Sequence, residues 1–145
     1  MSSMRLAMYW ILRLSLGAVI AAAGIAKLAS LPGFVAVIHT YQLSLSDSVA
    51  WAVAISVALF ELCLGIWMLS GRATPKAASL SILMHAGYAL LLTVTLVRGI
   101  HLENCGCFGT FLARPLQWYT PIEDVILMAV SYVLMVLAHR RAALR

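Results

Sequence analysis

Cys105 and Cys107, separated only by Gly106, are the residues in this chain whose type and spacing most directly suggest chemistry. A disulfide across one intervening residue closes a small ring, and glycine best takes the dihedrals that such a ring requires. A bond strained in this way is oxidising and readily reduced by a partner thiol. Two other readings stand beside this one. The pair is a static brace or two buried thiols, although a brace across one residue removes little entropy from the unfolded chain. Alternatively, the thiolates and His101 are soft ligands for Cu(I) or Zn(II). The redox reading is preferred and no metal site is expected, because the glycines of Asn104-Cys105-Gly106-Cys107-Phe108-Gly109 make the run more specific than its cysteine spacing alone. Gly106, Phe108 and Gly109 then set the loop geometry. The third cysteine, Cys63, sits in an apolar stretch, where a lone thiol is most often core; the alternative is a relay thiol.

A second set of candidates consists of ionisable residues in or at the ends of apolar segments, where charge is expensive and usually paired. Arg13 lies eight positions from Arg5, Glu61 ten from Gly71 and His85 nine from Lys76, so a rise of 1.5 Å per residue puts all three at one depth. They are expected to form a buried polar cluster. Lys27, near the opposite end of its segment, is expected to pair with Asp124 beneath the cysteine loop and, if close to a cysteine, to favour its thiolate. The structural alternative is that Arg13 and Lys27 snorkel to the two interfaces while Glu61 ties to His85.

The elements that must position these residues follow from composition. Of 145 residues, 63% are hydrophobic and 10% charged, and the mean hydropathy of +0.99 is far above that of a soluble domain. A membrane-crossing helix needs about 20 apolar residues, and four stretches approach that length, about 8–28, 49–70, 77–97 and 122–138. Turn chemistry separates them at Leu31-Pro32-Gly33, at Gly71 to Pro75, and at Pro115 and Pro121. The expected fold is one all-α domain over residues 1–145, an integral membrane four-helix bundle with three connections. The first stretch also has features of a signal peptide ending near Ala21-Ala22-Ala23, but is read as a retained helix. Gly17, Ala21 and Gly24, with Ala58 and Gly65, are suited to close helix packing.

The net charge of +5 is spread over helix ends and forms no patch for phosphate, so no nucleic-acid partner is expected. Membrane lipid is. Placing both termini and the 71–76 turn on one side gathers seven of the ten basic residues there, Arg5, Arg13, Arg72, Lys76, Arg140, Arg141 and Arg145. Basic residues accumulate on the cytoplasmic side. Both termini are therefore expected in the cytoplasm, and the CGCFG loop between the third and fourth spanning helices on the outer face of the inner membrane.

The run Cys105-Gly106-Cys107-Phe108-Gly109 resembles the MauE family within the wider DoxX-like membrane proteins. Arg13-x-x-x-Gly17, Gly24-Ile25-Ala26-Lys27-Leu28, Phe34 and Glu61-x-x-x-Gly65 extend the resemblance over about residues 10–138. It departs at Glu123, where the family often has a basic residue before the aspartate. The resemblance implies four membrane helices and thiol-disulfide work in envelope protein maturation, as in methylamine utilisation, where MauE supports a disulfide-rich periplasmic dehydrogenase beside a thioredoxin-like partner. Cys105 and Cys107 are then the redox couple, exchanging disulfides with a thioredoxin-like or disulfide-containing envelope protein. One pair and Cys63 fall short of the two pairs such enzymes generally use, and a membrane quinone is the small molecule that would complete the circuit. The alternatives are a non-catalytic membrane scaffold for a partner oxidoreductase and a Cu- or Zn-handling protein.

Overall fold

The apolar stretches fold as helices because no water is available to their backbone amides in a bilayer, so each stretch must satisfy its own hydrogen bonds. A computed structural model describes residues 3–143; Arg145, counted above for topology, lies outside them. The elements are α1 (Ser3–Ala29), α2 (Leu31–Thr40), α3 (Asp47–Ser70), α4 (Thr74–Val97) and α5 (Thr120–Ala142). All but α2 are long and apolar enough to cross a membrane. Exposed Ile11, Ile25, Ile66, Leu83, Leu90 and Ile126 give the bundle an apolar outer surface, as expected of helices solvated by lipid.

Proline and glycine set the boundaries. Pro75 and Pro121 lie in the first turns of α4 and α5, where a missing N–H costs nothing. Gly71 ends α3 in the left-handed region at φ +72°. Leu31-Pro32-Gly33, read from sequence as a turn, instead opens α2, with Pro32 in its first turn. The first connection is thus a short helix carrying buried Phe34, Val35, Val37 and Ile38.

The four long helices form an antiparallel ring in the order α1, α3, α4, α5, with α1 packed mainly on α3 and α4 mainly on α5. The start of α1, the end of α5 and the α3–α4 turn share one end; α2 and the α4–α5 loop share the other. Small residues bring α1 and α3 close enough for backbone contact. A Cβ on Gly24 would lie 2.5 Å from the Leu62 nitrogen, and one on Gly65 would overlap the backbone of Ala21. Gly17 meets Leu69, Ala21 meets Gly65 and Gly24 meets Leu62, so level positions on the two helices add to 86. Between α4 and α5, Ser81 Oγ and Ser131 Oγ hydrogen-bond at 3.0 Å.

The packing yields a paired expectation. Gly65→Val must push α1 from α3 and should cost about 1–3 kcal/mol, lowering the melting temperature in detergent. Gly87→Ala, with nothing within 4 Å of its new Cβ, should leave that temperature unchanged or raise it. Equal melting of the two variants would contradict the α1–α3 contact.

Candidate functional site

The loop between α4 and α5 is held in shape mostly by its own backbone. The Cys105 N–H donates to the Arg114 carbonyl at 2.8 Å, and the Leu116 N–H to that of Leu102 at 2.9 Å, zipping its two limbs together. Within the turn, the Gly109 N–H donates to the Gly106 carbonyl at 3.0 Å. Asn104 braces both glycines, its Oδ1 accepting from the Gly106 N–H at 2.9 Å and its Nδ2 donating to the Gly109 carbonyl at 2.8 Å. Gly106 and Gly109 have φ of +74° and +60°, a region that L side chains rarely enter. Space excludes side chains too: a Cβ on Gly106 would come 2.9 Å from Val37 Cγ1.

Neighbouring helices clamp the two cysteines through their carbonyls. Tyr41, at the end of α2, donates its hydroxyl to the Cys105 carbonyl at 2.6 Å, and Lys27 Nζ donates to the Cys107 carbonyl at 2.6 Å. The two sulfurs stand 2.9 Å apart as free thiols. Cys105 is buried, whereas Cys107 is half-buried. Their acidities diverge. The hydrogen bond from Cys107 outweighs burial and, with the nearby Arg114 charge, lowers the Cys105 thiol to about 6. Cys107 is pushed the other way by that same hydrogen bond, by burial and by the charges of Cys105 and Asp124, which Lys27 offsets only in part. Arg114 is itself raised, chiefly by its hydrogen bonds to Glu123.

The buried charges pair differently from the depth count. Lys27 Nζ lies 2.6 Å from Glu61 Oε2, with both side chains almost fully buried. The other Glu61 oxygen accepts a hydrogen bond from the Tyr88 hydroxyl. His85 Nδ1 lies 2.9 Å from Asp124 Oδ1. Thus the expected Lys27–Asp124 pair and the expected cluster of Arg13, Glu61 and His85 are both corrected. In the observed register Lys27 is level with about residue 59, two positions from Glu61, and each side chain leans toward its own helix's N-terminus and hence toward the other. Arg13 is level with about residue 73, beside Gly71, with its guanidinium carbon 4.2 Å from the Trp10 ring centroid. The count failed because Arg5 and Gly71 do not share a depth: with level positions adding to 86, Arg5 lies about ten residues beyond the level of Gly71, and Arg13 about twelve from the level of Glu61.

Cys63 is exposed on α3, not packed in the core, and no contact brings it to the cysteine loop. Arg114, Tyr88 and Asn104 were missed from sequence. Tyr88 had a signal, lying three residues from His85 on one helical face; Arg114 had none, because its approach depends on the loop's fold.

A family model described as Methylamine utilisation protein MauE matches residues 5–138. The Methylamine utilization protein MauE of Paracoccus denitrificans is 26% identical over 123 residues, covering 84% of this chain and 65% of the relative. The chain thus spans just under two thirds of that relative's length. No solved structure matches.

Two measurements test the site. Removing one member of a buried ion pair leaves the other uncompensated, which costs about 3–5 kcal/mol. Lys27→Met should therefore destabilise strongly in chemical denaturation, and the double variant Lys27→Met/Glu61→Leu should recover most of the loss; an additive double variant would argue against the pair. Titration of thiolate ultraviolet absorbance should show the Cys105 thiolate present above a midpoint of about 6 and lost below it. In Cys107→Ala that midpoint should climb toward the ordinary thiol value of about 8.5, and an unmoved midpoint would exclude Cys107 as its cause.

Proposed function

The chain belongs to the MauE family, and from that premise we propose that it is a membrane thiol-disulfide redox protein supporting disulfide formation or maturation of envelope proteins. The process is the one its relatives are named for, methylamine utilisation. One observation carries the reading: two free thiols face each other at 2.9 Å with opposite acidities and unequal exposure, in a loop clamped from two helices. A static brace has no need of such asymmetry.

The asymmetry also suggests an order of events. In the oxidised protein a thiolate of the partner attacks Cys107, the less buried of the two residues, and the Cys105–Cys107 bond breaks with Cys105 leaving as thiolate. A lower-pKa thiol leaves faster. The partner's second thiolate then attacks its own sulfur in the mixed disulfide, releasing Cys107 and completing the partner's disulfide. The partner loses two electrons, and the Cys105–Cys107 pair gains them. A membrane quinone then takes them on, which reoxidises the pair and makes Cys63 unnecessary. The partner is a thioredoxin-like or disulfide-containing envelope protein. Both termini lie in the cytoplasm and the loop faces the outer side of the inner membrane, supported by the basic residues at the terminal end.

Trapping tests both the role and the order. Run in reverse, with the partner supplied oxidised, the Cys107 thiolate of Cys105→Ser attacks the partner's disulfide, and a mixed disulfide should accumulate in membranes as a higher-mass band that reductant removes, whereas Cys107→Ser should give little. A pair that keeps one redox state whatever partner is supplied, with no band from either variant, would exclude the exchange role and leave a docking scaffold.

A further inference from the structure

Thiol exchange at the loop makes no use of His85 and Asp124, yet their surroundings hold a buried polar atom without a partner. His85 Nδ1 is bonded to Asp124, while its Nε2 is buried with no hydrogen-bond partner among the described residues. Leaving such an atom unpaired costs about 1–3 kcal/mol, a cost that a ligand offering a polar atom would remove. Both residues line a cavity of about 440 Å³ bounded by α1, α4, α5 and the cysteine loop. That volume lies within the range of small-molecule sites, about 300–1,000 Å³.

The walls define the ligand. Cys107 borders the cavity, so its occupant sits beside the redox pair. Glu61, Tyr88, His85 and Asp124 gather polar groups around it, and Val19, Ala23 and Leu127 supply apolar wall. Glu61 is already engaged by Lys27 and Tyr88, and Glu123, which also lines the cavity, by Arg114, which leaves the His85–Asp124 pair to handle a proton. An oxidant for two thiols here must be soluble in lipid, accept two electrons and carry oxygens that take up protons. A second cavity, about 120 Å³ and bordered by Phe34, Ile38 and Leu92 beside the same cysteines, includes neither His85 nor Asp124.

We propose that the larger cavity binds the head of a quinone, with His85 as the catalytic acid-base residue and Asp124 as its positioning partner. This rests on the redox role proposed above and deepens it. In the step, Cys105 enters as thiolate, the S–H bond of Cys107 breaks and the bond between the two sulfurs forms, releasing two electrons and one proton. The quinone takes up the two electrons, that proton and a second proton from His85, and its two carbonyl oxygens become the hydroxyls of a hydroquinone. His85, protonated at Nε2, delivers its proton to the oxygen it faces and is reprotonated from water, which had taken the proton of Cys105. Asp124 holds the ring in orientation and supplies countercharge while it is cationic. Once neutral, Nε2 accepts a hydrogen bond from the hydroquinone.

The test uses the full chain in liposomes with its pair reduced, under anaerobic conditions. Menadione and a short-chain ubiquinone are compared with oxidised glutathione, which approaches from water, and oxidation of the pair is followed by maleimide gel shift alongside quinone absorbance. Wild type should be oxidised by a quinone with stoichiometric hydroquinone formed. His85→Gln should slow the quinone reaction about a hundredfold relative to the glutathione reaction of the same variant. Ala23→Phe, which places a ring in the cavity, should likewise depress only the quinone reaction. Failure of both quinones to oxidise wild type, or equal loss with quinone and glutathione in both variants, would overturn the proposal. If that occurs while mixed disulfides are still trapped at Cys107, the exchange role stands; quinone oxidation with no trapping overturns the exchange role alone.

Discussion

An ammonium group sealed in an apolar helix bundle is tolerable only when acceptors surround it, because an unpaired charge there costs many kcal/mol. Lys27 meets that demand with groups from three other segments. Glu61 of α3 supplies a carboxylate, Cys107 of the loop supplies a carbonyl, and the Phe34 ring of α2 lies 5.4 Å from Nζ. Through Glu61 the chain of contacts reaches Tyr88 on α4. One side chain of α1 thereby fixes the positions of two helices and the cysteine loop, and extends its hold to a third helix. A buried ion pair is weak evidence for stability; what this one ties together is the register of α1 on α3 and the seat of the cysteine loop.

The same demand organises the rest of the interior. One apolar cluster, including Phe34, Ile38, Ala54 and Leu92, fills the loop end, and another, including Leu16, Leu64, Met68 and Leu134, fills the terminal end. Along α1, α3 and α4 the ionisable or polar residues Lys27, Glu61, His85 and Tyr88 fall between these clusters, and Asp124 joins them from α5. The polar layer is thus a seam between two apolar cores, with the cysteine loop resting on its upper edge. The terminal end is closed by different means: Arg13 and Arg141 lie against the Tyr9 and Trp10 rings, and among the described residues no carboxylate pairs with Arg13.

The sequence was most legible where a single physical requirement decides the outcome. Apolar runs long enough to cross a bilayer revealed the four spanning helices to within a few residues, and Gly24 and Gly65 announced the α1–α3 contact. The cysteine loop was legible as a loop because Gly106 and Gly109 leave little else open. The pairing of Lys27, Glu61, His85 and Asp124 was not legible, although each was singled out as a buried charge. Pairing depends on the relative slide of neighbouring helices, and a slide of two or three residues exchanges partners. Counting depth from Arg5 misplaced Arg13 by about ten residues, because α1 extends past the α3–α4 turn. Helix α2 was hidden for another reason: Pro-Gly reads as a turn unless the proline is recognised as a helix's first turn.

The loop's chemistry follows from where these constraints leave the two sulfurs. Tyr41 and Lys27 hold the carbonyls of Cys105 and Cys107, so the backbone of the pair is fixed while the sulfurs keep freedom about their side-chain bonds. Lys27 was expected to act as a charge that favours thiolate. Its ammonium, paired with Glu61, lowers only the Cys107 thiol and is outweighed there, so the acid-strengthening of Cys105 falls to the Cys107 hydrogen bond and to Arg114. That division is consistent with the geometry, because a shared hydrogen bond must favour one thiolate at the other's expense. The asymmetry that thiol exchange needs therefore arises within the pair itself, and the buried lysine contributes by holding the carbonyl end of Cys107 still.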